Sequence, residues 1–234
     1  MKHYRIADLR VAMDSFGRTD SQALPYEIPV EGNPDIVICA ATEILKQKHP
    51  DVSLDICEYL CTGSSFYTQL LHFNGMMLHS SCVVLDGKAY LFTAPCGTGK
   101  STHTKLWLEQ FGNRAYILND DKPALRFVNG VWYAYGTPWS GKHDISKNTY
   151  APVAGIAVLK QNEKNMIRPF SGTDAIEAIL RQVVRPKTAA YRILVLEILD
   201  NLLSHIPVWE LKCNMEPEAA LLAYQTMSGQ GSEI

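Results

Sequence analysis

The stretch Lys88-Ala89-Tyr90-Leu91-Phe92-Thr93-Ala94-Pro95-Cys96-Gly97-Thr98-Gly99-Lys100-Ser101-Thr102-His103-Thr104-Lys105-Leu106-Trp107 changes character twice. Lys88 to Thr93 is a short β-type run. Ala94 to Ser101 is a turn with Gly97 and Gly99. From Thr102 to Phe111 the apolar residues Leu106, Trp107 and Phe111 recur at helical spacing, and Gly112 stands just past them as a stop signal. A strand, a glycine-rich turn and a helix in that order predict an α/β protein.

Upstream, Met77 to Leu85 is an apolar run, and Asp86-Gly87 is a strong two-residue hairpin signal joining it to Lys88–Thr93. Downstream, Ala115 to Leu118 predicts a short strand running into Asn119-Asp120-Asp121. Ala124 to Val128, Asn129-Gly130 and Val131 to Tyr135 predict a second hairpin. Gly136 to Lys142 reads as a loop and Val153 to Lys160 as a strand. Asp174 to Val184 and Tyr191 to Ser204 read as helices, Pro207 to Lys212 as a strand and Pro217 to Met227 as a closing helix. Hairpins mixed with strand–loop–helix units argue for a mixed sheet with flanking helices, not a purely parallel one. The first part of the chain is less regular. Tyr4 to Met13 reads as one loose strand, residues 14–34 as turns and loop, and Ser64 to Leu71 as helix. Ile36 to Ile38 and Leu54 to Tyr59 are ambiguous. This divides the chain into an N-terminal mixed lobe, 1–75, either separate or part of the same domain, and a main domain, 76–234.

The 234 residues suffice for one domain, or one with a small extra lobe, around a buried core. A net charge of −2 supplies no global basic field, so neither nucleic acid nor an anionic membrane is an expected partner. Met1 to Arg10 lacks a signal-peptide core, and no apolar run approaches a membrane span. Cys57 and Cys61 have no second Cys/His pair at zinc spacing, and Cys39, Cys82, Cys96 and Cys213 are scattered. A reduced, cytoplasmic protein is the expectation.

Ala94-Pro95-Cys96-Gly97-Thr98-Gly99-Lys100-Ser101, continuing into Thr102, follows the phosphate-binding pattern of a P-loop, with Ala94 where the stricter signature has Gly. Gly97 and Gly99 let successive backbone N–H groups turn toward phosphate oxygens, and the following helix adds its positive end. Lys100 brings a charge to the outer phosphates, and Ser101 offers a hydroxyl to Mg²⁺. The expected ligands are therefore a nucleoside triphosphate, ATP, and Mg²⁺. Asp120 and Asp121, at a strand end, supply what remains: one carboxylate for the metal and one to accept the proton of an attacking hydroxyl. Read alone, the same pair before Pro123 is also good turn chemistry.

Leu78-His79-Ser80-Ser81, the hairpin, Ala94 to Thr102 and Asn119-Asp120-Asp121 together resemble the catalytic domain of HPr kinase/phosphorylase. That family shares its nucleotide-binding fold with ATP-dependent phosphoenolpyruvate carboxykinase. Gly97 to Trp107, Asp121-Lys122-Pro123 and Gly136 to Lys142 look like a smaller group of HPr-kinase-related proteins. The resemblance covers residues 76–160 and extends more loosely over the last third. It implies a kinase that moves the γ-phosphoryl group of ATP to a hydroxyl on a peptide serine or a small molecule. It also implies His79 beside the phosphates or the acidic pair, Lys100 and Asp120 in catalysis, Ser101 and Asp121 on the metal, and a homo-oligomer. Two departures stand out. No counterpart of the glycine- and arginine-containing loop that docks HPr is visible, and the carboxylate-binding and metal residues of the carboxykinase are not matched. Serine kinase/phosphorylase activity on an HPr-like protein and a nucleotide sensor without turnover are the alternatives.

Weaker candidates remain open in two directions each. Gly136 to Lys142, followed by His143 and Asp144, reads as a loop closing over substrate, with Trp139 excluding water, or as a plain connection with a buried Trp. One of His103 and Lys105 touches the nucleotide, or they lie on a solvated helix face. Arg181 and Arg185 neutralise transferred phosphate or form a surface pair.

Overall fold

The computed structural model describes residues 1–229; residues 230–234, the tail of the main domain expected from sequence, lie outside the described residues. The chain begins with a hairpin, β1 (Lys2–Ile6) and β2 (Leu9–Met13), where the sequence suggested one strand. Ala7 and Asp8 make the turn at φ +52° and +60°. Neither is glycine, so the usual turn signal is missing from the sequence. Residues 14–34 are likewise more ordered than their glycines and prolines suggest. They hold α1 (Gly17–Ala23) and the short β3 (Glu27–Ile28). β4 (Ile36–Ile38) completes a sheet in the order β3-β1-β2-β4.

After α2 (Thr42–Lys48), α3 (Leu54–Leu70) is one long helix that absorbs both the ambiguous Leu54 stretch and the expected Ser64 helix. Ser53 caps it by accepting the N–H of Ile56 at 3.3 Å. Its buried face carries Cys57, Tyr59, Thr62, Gly63, Phe66, Tyr67 and Leu70. This face packs with Tyr4, Ile6, Val11, Met13 and Ile36, and also with Ala124, Tyr135 and Trp139 from the main part of the chain. The first sheet and the segment after Tyr135 thus share one core.

The Met77–Leu85 run is not one strand. β5 (Gly75–Met77) pairs with β9 (Ala124–Val128), whereas β6 (Ser80–Leu85) pairs with β7 (Lys88–Thr93) and β8 (Ala115–Asp121). Leu78 and His79 are the crossing between them. The rest of the large sheet follows as β10 (Val131–Tyr135), β11 (Tyr150–Gln161), β12 (Met166–Pro169) and β13 (Val208–Cys213). The order β5-β9-β10-β11-β7-β6-β8 is continued by β13 on β11 and β12 on β13. β11 runs parallel to β7 and β13, and the other pairings in this sheet are antiparallel, so the sheet is mixed as expected. β12, a mostly exposed edge strand, has little apolar pattern to announce it. α4 (Lys100–Phe111) and α7 (Pro217–Met227) pack on one face, where Val83, Leu85, Tyr90 and Phe92 meet Trp107 and Tyr224. α5 (Gly172–Leu180) and α6 (Ala189–His205) bury Ile179, Val195, Ile198 and Leu202 against Leu78, Leu91 and Ile156.

Gly136–Ser140 is a loop in conformation but is buried throughout. Trp139 is fully buried, stacks on Phe66 at 5.0 Å and donates its Nε1–H to Thr62 Oγ1 at 3.2 Å. A Cβ on Gly63 would stand 3.0 Å from the indole, so that helix position suits only a very small residue. Trp139 therefore anchors the loop in the core and does not wall the cavity described below. Trp139→Ala should lower stability by about 3–5 kcal/mol through the large hole it leaves. Urea unfolding checks this, and near-UV dichroism should show weakened packing around Phe66 and Tyr67.

Candidate active site

Strand pairing brings distant residues to one edge. β6 lies antiparallel between β7 and β8, so β7 and β8 run in the same direction and end together. Ser80 stands opposite Thr93 on one side and Asp121 on the other. His79 at the start of β6, the turn after Thr93 and the acidic pair at the end of β8 converge for that reason alone. β8 continues through Asp121, past the Leu118 end expected from sequence.

The turn from β7 into α4 needs its glycines. Gly97 and Gly99 have φ of +81° and +104°, and open space lies where a Cβ would project. α4 begins at Lys100, earlier than Thr102. Its start carries no side-chain cap, so its first N–H groups are left for another acceptor. Ser81 Oγ and Thr104 Oγ1, 2.8 Å apart and buried, tie α4 to β6. Lys100 Nζ donates to Ala94 O at 2.9 Å and lies within 3.4 Å of Pro95 O. Burial lowers the pKa of its ammonium, opposed by the pull of Asp121, Cys96 and Asp120. A partly desolvated cation held only by carbonyls is one that an incoming anion would stabilise.

A cavity of about 460 Å³ is lined by His79, Lys100, Ser101, Asp120 and Asp121, with Cys96, Gly97, Gly99 and Thr102 of the glycine loop. Ala94 is buried beneath the loop, while Pro95 and Thr98 lie on its outer side against a neighbouring cavity. The two carboxylates differ. Asp121 Oδ1 sits 3.0 Å from His79 Nε2, and Asp121 Oδ2 pairs with Lys122. Burial pushes the Asp121 pKa up, but the His79 hydrogen bond and the Lys122 charge outweigh it and hold the group at about 2. An ionised carboxylate only accepts, so His79 Nε2 must carry the hydrogen. His79 Nδ1 lies 2.9 Å from Gln182 Oε1, and the His79 N–H donates to Gln182 O at 2.7 Å. Asp120 is 5% exposed and faces the same cavity without taking part in the His79 and Lys122 pairings.

The segment after Trp139 closes one side. Gly141, Lys142 and His143 line the cavity. Gly141 has φ +76°, and a Cβ there would stand 2.7 Å from Asp121 Cβ and 2.9 Å from Asp120 O. Tyr59 of α3 accepts the Gly141 N–H at 3.1 Å, and Arg18 of α1 donates to Gly141 O and pairs with Asp144. Asp144 thus belongs to a clasp with the N-terminal lobe, not to the cavity lining.

Other candidates fall elsewhere. His103 is 3% exposed, so it is not on a solvated face; its Nε2 accepts from Trp107 and burial lowers its pKa to about 4. Lys105 is exposed. Arg181 pairs with Glu177, Arg185 donates to Arg181 O at 3.2 Å, and neither lines the cavity. No role is read from sequence for Lys122, Gln182, Tyr59 or Arg18. Lys122, beside the acidic pair, had a signal to find; the other three come together only through the fold. Among the described residues no group of three or more His, Cys, Asp or Glu side chains could hold a metal by itself, and no helix is long and apolar enough to cross a membrane.

Gly141→Ala should cost about 1–3 kcal/mol from the left-handed backbone and the contact with the acidic pair, read as a lowered Tm. Asp121→Asn should give a pH signature. The depressed pKa means wild type holds its extra stability above the ordinary carboxyl value of 3.8 and loses it as pH falls toward about 2. Urea unfolding should show the wild-type advantage in full near neutral pH and shrinking below 3.8.

No protein-family model matches the sequence, and no curated protein matches it. Among solved structures, the Hpr(Ser) kinase/phosphatase from Coxiella burnetii is similar over 66% of this chain and 95% of that one, at 13% identity and a TM-score of 0.38.

Proposed function

We propose that the protein is a Mg²⁺-dependent kinase that transfers the γ-phosphoryl group of ATP to a hydroxyl, on a serine of a peptide or on a small molecule. The observation that carries this reading is the cavity in which an uncapped helix start with Lys100 and Ser101 faces Asp120, Asp121 and His79. The open space beside Gly97 and Gly99 suits close approach of a phosphate chain to the backbone.

In this reading the glycine loop and Lys100 hold the phosphates. Ser101 and Asp121 are the residues that would hold Mg²⁺. Mg²⁺ takes oxygen donors and, beside substrate phosphates, needs only one or two protein carboxylates; the Asp121 carboxylate and the Ser101 hydroxyl would be donors of that kind. When bound, the ion supplies charge neutralisation on the phosphoryl oxygens. Asp121, held at about 2 by His79 and Lys122, is a poor proton acceptor. Asp120 is left as the base. The acceptor oxygen forms a bond to the γ-phosphorus, the bond from that phosphorus to the β–γ bridging oxygen breaks, ADP leaves, and the hydroxyl proton passes to Asp120. His79 orients Asp121 and takes no proton at Nε2. Gly141 to His143 bound the side from which an acceptor would enter. Rate enhancement comes mainly from positioning and charge.

The test is ATP turnover with Mg²⁺ over free serine, threonine, nucleosides, sugars and serine-containing peptides. Wild type should phosphorylate one class. Lys100→Ala and Asp120→Asn should each lower kcat/KM by about 100-fold or more, the scale of losing a general base or a phosphate-binding charge. Tight ATP binding with no transfer to any acceptor, unchanged in Asp120→Asn, would instead mark a nucleotide sensor.

A further inference from the structure

The start of α4 borders more than one cavity. Beyond the one holding the acidic pair lies another of about 510 Å³, and Gly99 and Thr102 line both. Its walls include His103 and Leu106 of α4, Leu159 near the end of β11, the charged Lys160 and Glu163 close by, and Cys213 and Met215 at and after the end of β13. Leu106 and Leu159 are buried, whereas Met215 is 74% exposed, a large apolar side chain left at the rim. The volume lies within the usual range for small-ligand sites.

The direction of a bound triphosphate follows from the charges. Its terminal phosphate belongs with Lys100 and the acidic pair, so the remaining phosphates run along the loop toward the first turn of α4. The molecule must leave the loop over Gly99 and Thr102, where this cavity opens. A third cavity, of about 530 Å³, also touches the loop, but its lining runs from Thr93 to Thr98 and includes neither Gly99 nor Thr102. A ligand entering it would turn away before reaching the helix N–H groups.

We infer that the cavity between α4 and the ends of β11 and β13 receives the nucleoside of the bound triphosphate, with its base between the Leu106–Leu159 wall and Met215. The assignment rests on the kinase reading above, and the experiment separates the two. Mg²⁺-ATP and Mg²⁺-tripolyphosphate are titrated by calorimetry into the full chain, with far-UV dichroism to confirm folding. Tripolyphosphate reports the loop alone. Wild type should bind ATP at least about tenfold more tightly than tripolyphosphate. Cys213→Trp, which fills the cavity, should remove most of that difference and leave tripolyphosphate within about twofold of wild type. Met215→Gly, at an exposed position outside the core, should weaken ATP by about threefold and spare tripolyphosphate. Lys100→Ala should weaken both ligands. If Lys100→Ala weakens both ligands while Cys213→Trp and Met215→Gly bind ATP like wild type, the nucleoside assignment falls and the phosphate site stands. If wild type binds neither ligand, or Lys100→Ala changes neither, the phosphate site itself is wrong and the assignment falls with it.

Discussion

The register of three strands is the constraint on which the candidate site depends. With β6 antiparallel between β7 and β8, both outer strands finish at the edge where β6 begins. The glycine loop leaves from one, the acidic pair ends the other, and His79 enters the strand between them. A slip of one residue would exchange the faces that Asp120 and Asp121 present and break their relation to Lys100. The register is secured from several sides. β6 is buried along its whole length, Ser81 is bonded to Thr104 of α4, and Thr93 donates to His79 O at 2.8 Å.

Around that edge, the two carboxylates have unlike surroundings although they are neighbours in sequence. Successive residues of a strand face opposite ways. Asp121 takes the His79 and Lys122 partners and stays ionised, while Asp120, which lines the same cavity, takes neither. This division is what a metal partner and a proton acceptor require of two adjacent acids, and it underlies the roles proposed for them. His79 is in turn held by Gln182, just past the end of α5, so the helix on the far side of the crossing segment contributes to the state of the acid.

The N-terminal lobe bears on the same place. Its helices reach the Gly141–Asp144 segment through Tyr59 and Arg18, and its core includes Trp139 two residues before Gly141. Gly141 is pressed against the backbone and side chain of the acidic pair. The core of the lobe thereby adjoins the rim of the cavity through the short stretch from Trp139 to Gly141. The lobe, for which no motif could be read, thus touches the Gly141–His143 side of the cavity.

Much of the architecture was local and therefore legible in the sequence. Asp86-Gly87 and Asn129-Gly130 carry turn chemistry, and both hairpins form there. The glycine loop sits between a strand and a helix because its residue types demand positive φ and then helical spacing. What stayed hidden had no local mark. Ala7-Asp8 turns without glycine, the Met77–Leu85 run breaks at His79 because β5 and β6 pair with different neighbours, and β12 is an exposed edge. The residue types proposed to bind phosphate, metal and a proton could be read in the sequence, since they depend on side-chain chemistry and short spacing. The tertiary structure decided which of them meet. It gave Asp121 its His79 and Lys122 partners, buried His103, left Arg181 and Arg185 outside the cavity, and brought Arg18 and Tyr59 to its rim. Those outcomes depend on strand register and helix packing across many residues of chain, which no local pattern encodes.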